Sequence, residues 1–331
     1  MTAIIRGIQR KPLSLVIYGV PGVGKSKYAE GFPNPIFVGT EENDELTAAR
    51  FPVVKSYVQM IRYLGELIKG QHKGYKTVVI DSISGLEKII HSEICGNDKT
   101  MASAHGGYGK AYDFAAIQLW RIKGMLETLR DKTRYNIVVI GHATTTHFTD
   151  PVLQTDYEVW EMNLHKNKRR DCNAYFTEWA SAVFFLNWAT YKKTEEKFVV
   201  GTGARELFTE FRPSHLAKNR FGLPHKIKLE EGGPGEAGKN WKILRDHLVK
   251  FYESGKKTQE TAAKADQKNQ DNILIHRNKG LLEDLEMDAV KKKPLIEAHI
   301  KTMEELGKNP KKGREMMKKL HERLTKIVQN Q

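Results

Sequence analysis

The chain has 331 residues, enough to bury a substantial core, and its 40% hydrophobic and 9% aromatic content excludes a disordered or fibrous protein. Its formal net charge of +14 exceeds what a small anionic ligand requires and points to a polyanionic partner, with simple solubility as the alternative. The two cysteines, Cys95 and Cys172, lie outside any C-x-x-C spacing, which argues against structural zinc, and no apolar run approaches ~20 residues, so a cytoplasmic chain without a membrane segment is expected.

The first element is the apolar, β-branched run Leu15-Val16-Ile17-Tyr18, a buried strand that feeds into Gly19-Val20-Pro21-Gly22-Val23-Gly24-Lys25-Ser26. That octapeptide satisfies G-x-x-x-x-G-K-[ST], in which glycines let backbone N–H groups turn toward phosphates and the following helix presents its positive end to the same charge. Gly19, Pro21, Gly22, Val23, Gly24, Lys25, Ser26 and Lys27 are therefore expected around a bound nucleotide, with Lys25 on the phosphates and the Ser26 hydroxyl on Mg²⁺. The helix stops at Gly31-Phe32-Pro33. A second buried strand, Pro35 to Gly39, ends at the acidic Thr40-Glu41-Glu42-Asn43-Asp44. Acidic residues there lie on the ligand edge of an open α/β sheet, where one could orient a water; a solvated turn is the alternative.

Tyr57 to Lys69 places Met60, Ile61, Leu64, Leu67 and Ile68 on one helical face. The next strand, Lys76 to Ser82, ends at Asp81, the position from which a carboxylate would complete the Mg²⁺ clamp begun by Ser26. Gly85 to Cys95 reads as helix. Gly96 to Lys110 reads as a loop, either touching a partner or merely connecting, and Ala111 to Leu129 as a long helix offering Phe114, Ile117, Leu119, Trp120, Ile122, Met125 and Leu126 to the core. Asn136 to Gly141 is the next buried strand, with His142 at its ligand edge. Strands alternating with helices imply a parallel, doubly covered sheet.

Ala143 to Cys172 shows no strong periodicity. Its threonines, Trp160 and the run Lys166-Asn167-Lys168-Arg169-Arg170 combine charge and flat rings, as a single-stranded nucleic-acid contact does, although a solvated loop has the same composition. A helix at Ala174 to Ala180 and a strand at Ala182 to Trp188 follow. A hairpin is then expected with arms Lys197 to Val200 and Glu206 to Thr209. Lys218 and Arg220 lie just beyond it, spaced to face one way and to stabilise γ-phosphate charge in a neighbouring subunit. Glu230 to Asn240 reads as a glycine-rich turn and Trp241 to Tyr252 as the helix closing the core. Ser254 to Asn272 is polar, a linker or a solvated helix, and 273–331 reads as two or three basic amphipathic helices broken at Pro294 and Asn309-Pro310.

With these pieces in order, the chain resembles the RecA/RadA family of P-loop ATPases, most closely the short phage-encoded recombinases of single-strand annealing type built on that core. GVPGVGKS, IFVGTEEND, TVVIDSISGL, NAYFTEWASAVFFL and above all LAKNRFGLP carry the likeness, across roughly residues 10 to 250. The resemblance implies that Glu41 activates water, with Glu42 as the fallback, and that His142 stands where a γ-phosphate sensor sits. It also implies that Lys218 and Arg220 act in trans, and that the loops 102–110 and 144–170 bind DNA. Lys110, Lys166, Lys168, Arg169 and Arg170 are then the candidate DNA contacts. The basic C-terminal helices have no counterpart in the family.

The expected fold is α/β, a RecA-like core over residues 1–252, a polar linker at 253–272 and a basic helical extension at 273–331. The expected activity is ATP- and Mg²⁺-dependent hydrolysis by a single-stranded DNA-binding recombinase or annealing protein working as a ring or filament, with a single-strand-binding or replication protein as a further partner. A nucleotide-gated assembly or helicase-loading ATPase is the main alternative. A small-molecule or nucleotide kinase is a weaker one, because no arginine-bearing lid is evident.

Overall fold

Leu15, Val16, Ile17 and Tyr18 are completely shielded from solvent because their strand lies at the centre of the sheet. The computed structural model describes residues 8–97, 100–152, 154–167, 170–192, 199–229, 237–285 and 289–330. β1 (Ser14–Gly19) runs into the phosphate loop and α1 (Lys25–Glu30). β2 (Pro35–Gly39), the two-residue β3 (Ala49–Arg50), α2 (Tyr57–Ile68), β4 (Thr77–Asp81), α3 (Ile83–Cys95) and α4 (Lys110–Asp131) follow. Then come β5 (Asn136–Thr149), β6 (Asp156–Met162), α5 (Cys172–Thr177), β7 (Ala182–Lys192), β8 (Val199–Phe208), β9 (Lys218–Asn219) and β10 (Lys226–Leu229). Three helices close the chain: α6 (Ala237–Asp284), α7 (Ala289–Lys308) and α8 (Pro310–Gln329).

The sheet order is β10-β8-β7-β1-β5-β4-β2-β3, with β6 on β5 and β9 on β7. From β7 to β3 every neighbouring pair is parallel, while β6, β8, β9 and β10 are antiparallel additions. Side chains alternate across this sheet. Val16 and Tyr18 face a core closed by α2, α3 and α4, while Leu15 and Ile17 face one closed by α1 and by Trp241 and Leu244 of α6. The mainly parallel, doubly covered sheet expected from the alternation of elements is therefore present.

Several local expectations are corrected. Residues 143–162 are not irregular: β5 continues to Thr149 and pairs with β6 in register from Ala143–Met162 to Thr149–Asp156, a hairpin extending past the sheet. Its tip and most of the β5 arm are exposed, and the covered positions of β6 include the charged Glu161, so no apolar stripe long enough to mark a strand stood out in the sequence. The segment 199–208 is not a hairpin with its own two arms; it is the single strand β8, paired with β7 on one side and β10 on the other. Residues 193–198 lie outside the described residues, as do 230–236 of the expected glycine-rich turn. On α4 the core takes Ala111, Ala115, Ala116, Leu119, Ile122, Leu126 and Leu129, and leaves Phe114, Ile117 and Trp120 exposed.

Contacts divide the chain into one compact unit at Gln9–Tyr252 and another built on Glu253–Gln331. The polar stretch 254–272 is helical, part of α6. α7 runs through Pro294, its sixth residue, instead of breaking there: the ring removes the one backbone bond to Val290, and the rest of the helix continues past it. The break at Asn309-Pro310 is real: the Asn309 side chain accepts from the Lys312 N–H and Pro310 opens α8. The second unit has its own core of Leu282, Leu285, Leu295, Leu320 and Leu324. Among the described residues no helix is long and apolar enough to cross a membrane.

Candidate functional site

The parallel register aligns the C-terminal ends of four strands. Gly19 of β1 pairs with His142 of β5, Asp81 of β4 with Ile140, and Gly39 of β2 with Asp81. The phosphate loop, Asp81, His142 and the Glu41 segment therefore meet at one sheet edge, next to the point where the strands depart in opposite directions from β1.

Gly22 and Gly24 hold φ of 73° and 91°, the left-handed region in which a side chain is strained, and this folds the loop over the start of α1. Val23 is buried beneath the loop, while Pro21 and Gly22 are exposed on its tip. Lys25 is 7% exposed, and its Nζ donates to the carbonyls of Gly19 at 3.0 Å and Val20 at 2.9 Å. Burial holds its pKa below the usual lysine value, against the opposing pull of Asp81 and Glu41. The ammonium is thus held inside the loop, where a phosphate would displace the carbonyls as its partner. Lys27 points away: its Nζ bonds Glu30 and the carbonyl of Glu45, so only its backbone is available to a nucleotide.

Ser26 Oγ donates to Asp81 Oδ2 at 2.6 Å. Two hard oxygens this close, from the phosphate-loop helix and the end of β4, suit the partial protein coordination of Mg²⁺, which keeps water and phosphate as its remaining ligands. Burial raises the Asp81 pKa and the neighbouring Glu41 adds to that, while Ser26, Lys25 and His142 oppose it. The residues present fit the group.

His142 Nε2 lies 3.1 Å from Glu41 Oε1 and 3.2 Å from Ser82 Oγ. A carboxylate only accepts, so Nε2 carries the hydrogen when it bonds Glu41. Glu41 is exposed on the cleft wall and Glu42 lines the same cleft. Sequence reasoning missed the residues that aim this group. Ser82 caps α3 through Gly85 N–H at 3.0 Å, Ser84 Oγ accepts from the His142 N–H, and Thr40 is tied to both Asp81 and Ser82. Glu30 accepts from Thr47 N–H, Thr47 Oγ1 and Ala48 N–H at 2.6, 2.7 and 2.9 Å, anchoring the far end of the Glu41 loop to α1. The serine directly after a strand, three residues before a helical glycine, was the readable signal of a cap.

Lys218 and Arg220 are not at this edge. β9 pairs Lys218 with Val183, three positions before Leu186, the partner of Gly19, so Lys218 lies about 10 Å down the strands from the loop. Its Nζ donates to the carbonyls of Thr177 at 3.0 Å and Glu178 at 2.7 Å, closing the C-terminal end of α5. Arg220 is exposed. Among the candidate DNA contacts, Lys166 pairs with Glu161 and Asp171, and Arg170 with Asp113 at 2.7 Å. Lys168 and Arg169 lie outside the described residues. Lys110 is exposed at the start of α4, two residues after Tyr108, which is 97% exposed.

Among solved structures, that of the RadB recombinase is similar at a TM-score of 0.39 and 17% identity, the match covering 67% of this chain and 90% of that one. No curated protein matches. A family model described as an AAA domain (AAA_24) matches residues 11–221, a span that holds the phosphate loop, Glu41, Asp81, His142 and Lys218; the chain belongs to the AAA domain family, and its core is a P-loop ATPase domain.

Proposed function

We propose that this protein is an ATP- and Mg²⁺-dependent, single-stranded DNA-binding recombinase or annealing ATPase that hydrolyses ATP between subunits of a ring or filament. The observation that carries the reading is a division within one chain. Lys25, Ser26, Asp81, Glu41 and His142 share one sheet edge, while the Lys218-Arg220 pair lies about 10 Å away along the strands, out of reach of its own phosphate loop. Such a pair serves the site of a second copy.

In this reading Lys25 neutralises phosphate charge, and Ser26 and Asp81 hold the Mg²⁺, which supplies further neutralisation of the β- and γ-oxygens. Glu41 takes the proton of the attacking water, and the His142 Nε2–H fixes the rotamer of that carboxylate in the resting state. Arg220 of the adjacent copy meets the developing γ-phosphate charge, a contribution worth ~10³ to 10⁵ in rate in other P-loop enzymes. Lys110 and Tyr108 offer a cation and a flat ring for a single strand. The ion pairing of Lys166 and Arg170, and the exposed carboxylates of Asp156 and Glu158 on the β5–β6 hairpin, favour a second reading in which that hairpin contacts protein and ATP gates assembly.

ATP hydrolysis with and without single-stranded DNA, alongside DNA binding as a function of salt, separates the two. The recombinase reading expects stimulation by DNA and log affinity falling with log salt by ~0.7 per neutralised phosphate. An ATPase indifferent to DNA supports the assembly reading.

A further inference from the structure

The sheet order determines where the nucleoside end of a bound nucleotide must go. Outside the loop itself, the residues assigned to the terminal phosphate and Mg²⁺, Asp81, His142 and Glu41, lie on one side of β1, at the ends of β4, β5 and β2. A triphosphate seated in the loop with its γ-end toward that group extends its α-phosphate, ribose and base the opposite way, over the ends of β7 and β8.

A cross-strand pair stands there. Trp188 of β7 is directly opposite Arg205 of β8, and both share parity with Leu186 and Leu207, which face α1. Trp188 lies two residues, about 7 Å, beyond Leu186, the partner of Gly19, and is 38% exposed, so it stands past the strand position at which the loop begins. The ladder shifts register immediately after it, between Trp188 and Thr190, an irregularity of the kind that re-aims side chains at strand ends. Arg205 reaches the loop itself: a β-carbon on Gly24 would stand 2.6 Å from its Nη1. A guanidinium against the glycine that opens the phosphate-binding helix is placed for an anion held by that helix.

We propose that Trp188 and Arg205 form the nucleoside subsite in cis, with the base or ribose against the Trp188 ring and the Arg205 guanidinium on the adjacent phosphate. This rests on the nucleotide-binding part of the function proposed above and adds two residues outside the phosphate-loop motif. The subsite explains how one subunit holds ATP before a neighbour supplies its cations.

The test compares ATP with inorganic tripolyphosphate as probes, measured by calorimetry with Mg²⁺ on the full chain and on Trp188→Ala, Trp188→Phe and Arg205→Ala. The unchanged protein binds ATP more tightly than tripolyphosphate. Trp188→Ala lowers ATP affinity ~10-fold, as loss of one stacking contact does, leaves tripolyphosphate affinity unchanged, and is rescued by Trp188→Phe. Arg205→Ala weakens both probes. For Trp188→Ala, retained tripolyphosphate binding reports an intact loop; for Arg205→Ala, an unchanged urea midpoint does, and weakened binding of both probes counts for the subsite only alongside it. Normal ATP affinity in both alanine variants overturns the subsite while leaving the ATPase reading intact. Failure of the unchanged protein to bind either probe overturns both.

Discussion

At the residue scale, the Glu41–His142 pair separates binding from chemistry. Glu41 is exposed and bonds His142, whereas Lys25 bonds the loop carbonyls and Ser26 bonds Asp81, so Glu41→Gln removes a proton acceptor and reaches the cradle only through the charge it presents to Lys25 and Asp81. Steady-state kinetics should show kcat falling ~10² to 10⁴-fold with little change in KM for ATP; a comparable rise in KM would place Glu41 in binding instead. Glu30 acts one step removed. Its carboxylate takes both Thr47 donors and the Ala48 N–H, and Glu30→Ala frees the end of the loop that carries Glu41. That change should lower kcat more than it alters KM, and should cost about 1–3 kcal/mol in urea denaturation because the donors it served lose a charged acceptor. Glu87 makes a separate prediction about stability. Burial among Cys172, His165 and α3 lifts its pKa from 4.5 to about 7, against the pull of the His165 N–H that it accepts. Between those values the folded chain holds a proton that the unfolded chain has lost, so stability declines as pH rises through that window. The full effect is about 3 kcal/mol. Glu87→Gln, which still accepts from His165, should flatten the decline in urea midpoint from pH 4.5 to 7.

At the scale of elements, the proposed function would give Lys218 a second duty beside the structural one. Lys218 closes the C-terminal end of α5 through the carbonyls of Thr177 and Glu178, in keeping with a cation at a helix terminus, while Arg220 is exposed. Lys218→Ala should therefore lower thermal stability by about 0.3–1 kcal/mol in addition to its effect on hydrolysis, whereas Arg220→Ala should slow hydrolysis with an unchanged melting temperature. Strands with two buried faces, such as Val78-Val79-Ile80 and Val138-Val139-Ile140, were legible because each residue meets a helix on one side or the other. The hairpin Thr144–Glu161 was not. Its β5 arm is mostly threonine, paired with Glu161, Trp160, Val159 and Asp156, and only Tyr157 and Val159 alternate as apolar residues on β6, too short a stripe to mark a strand. The exposure of Phe114, Ile117 and Trp120 on α4 shows the same limit, because small alanines at 111, 115 and 116 let this helix approach the sheet along a different face.

At the scale of the whole molecule, the site was readable where it is continuous in sequence. Gly19 to Ser26 carries its own geometry, and Asp81 was found because it ends a strand. Thr40, Ser82 and Ser84 stand beside Glu41 and Asp81 in the sequence, but their bonds across β2, β4 and β5 follow from the order of strands, which periodicity does not encode, and so does the position of the proposed Trp188 and Arg205 subsite. The same order places Lys218 and Arg220 away from their own phosphate loop, and from this comes the central claim that a complete site needs two copies. Mixing two inactive variants tests that claim most directly. Lys25→Ala loses its own nucleotide site but keeps Arg220, and Arg220→Ala keeps the site but loses the cation. Each alone should hydrolyse ATP at a small fraction of the normal rate. Mixed, they should regain activity well above the sum of the two, because some interfaces join an intact loop to an intact Arg220. An Arg220→Ala protein as active as the unchanged chain, or a mixture no more active than its parts, would contradict hydrolysis between subunits.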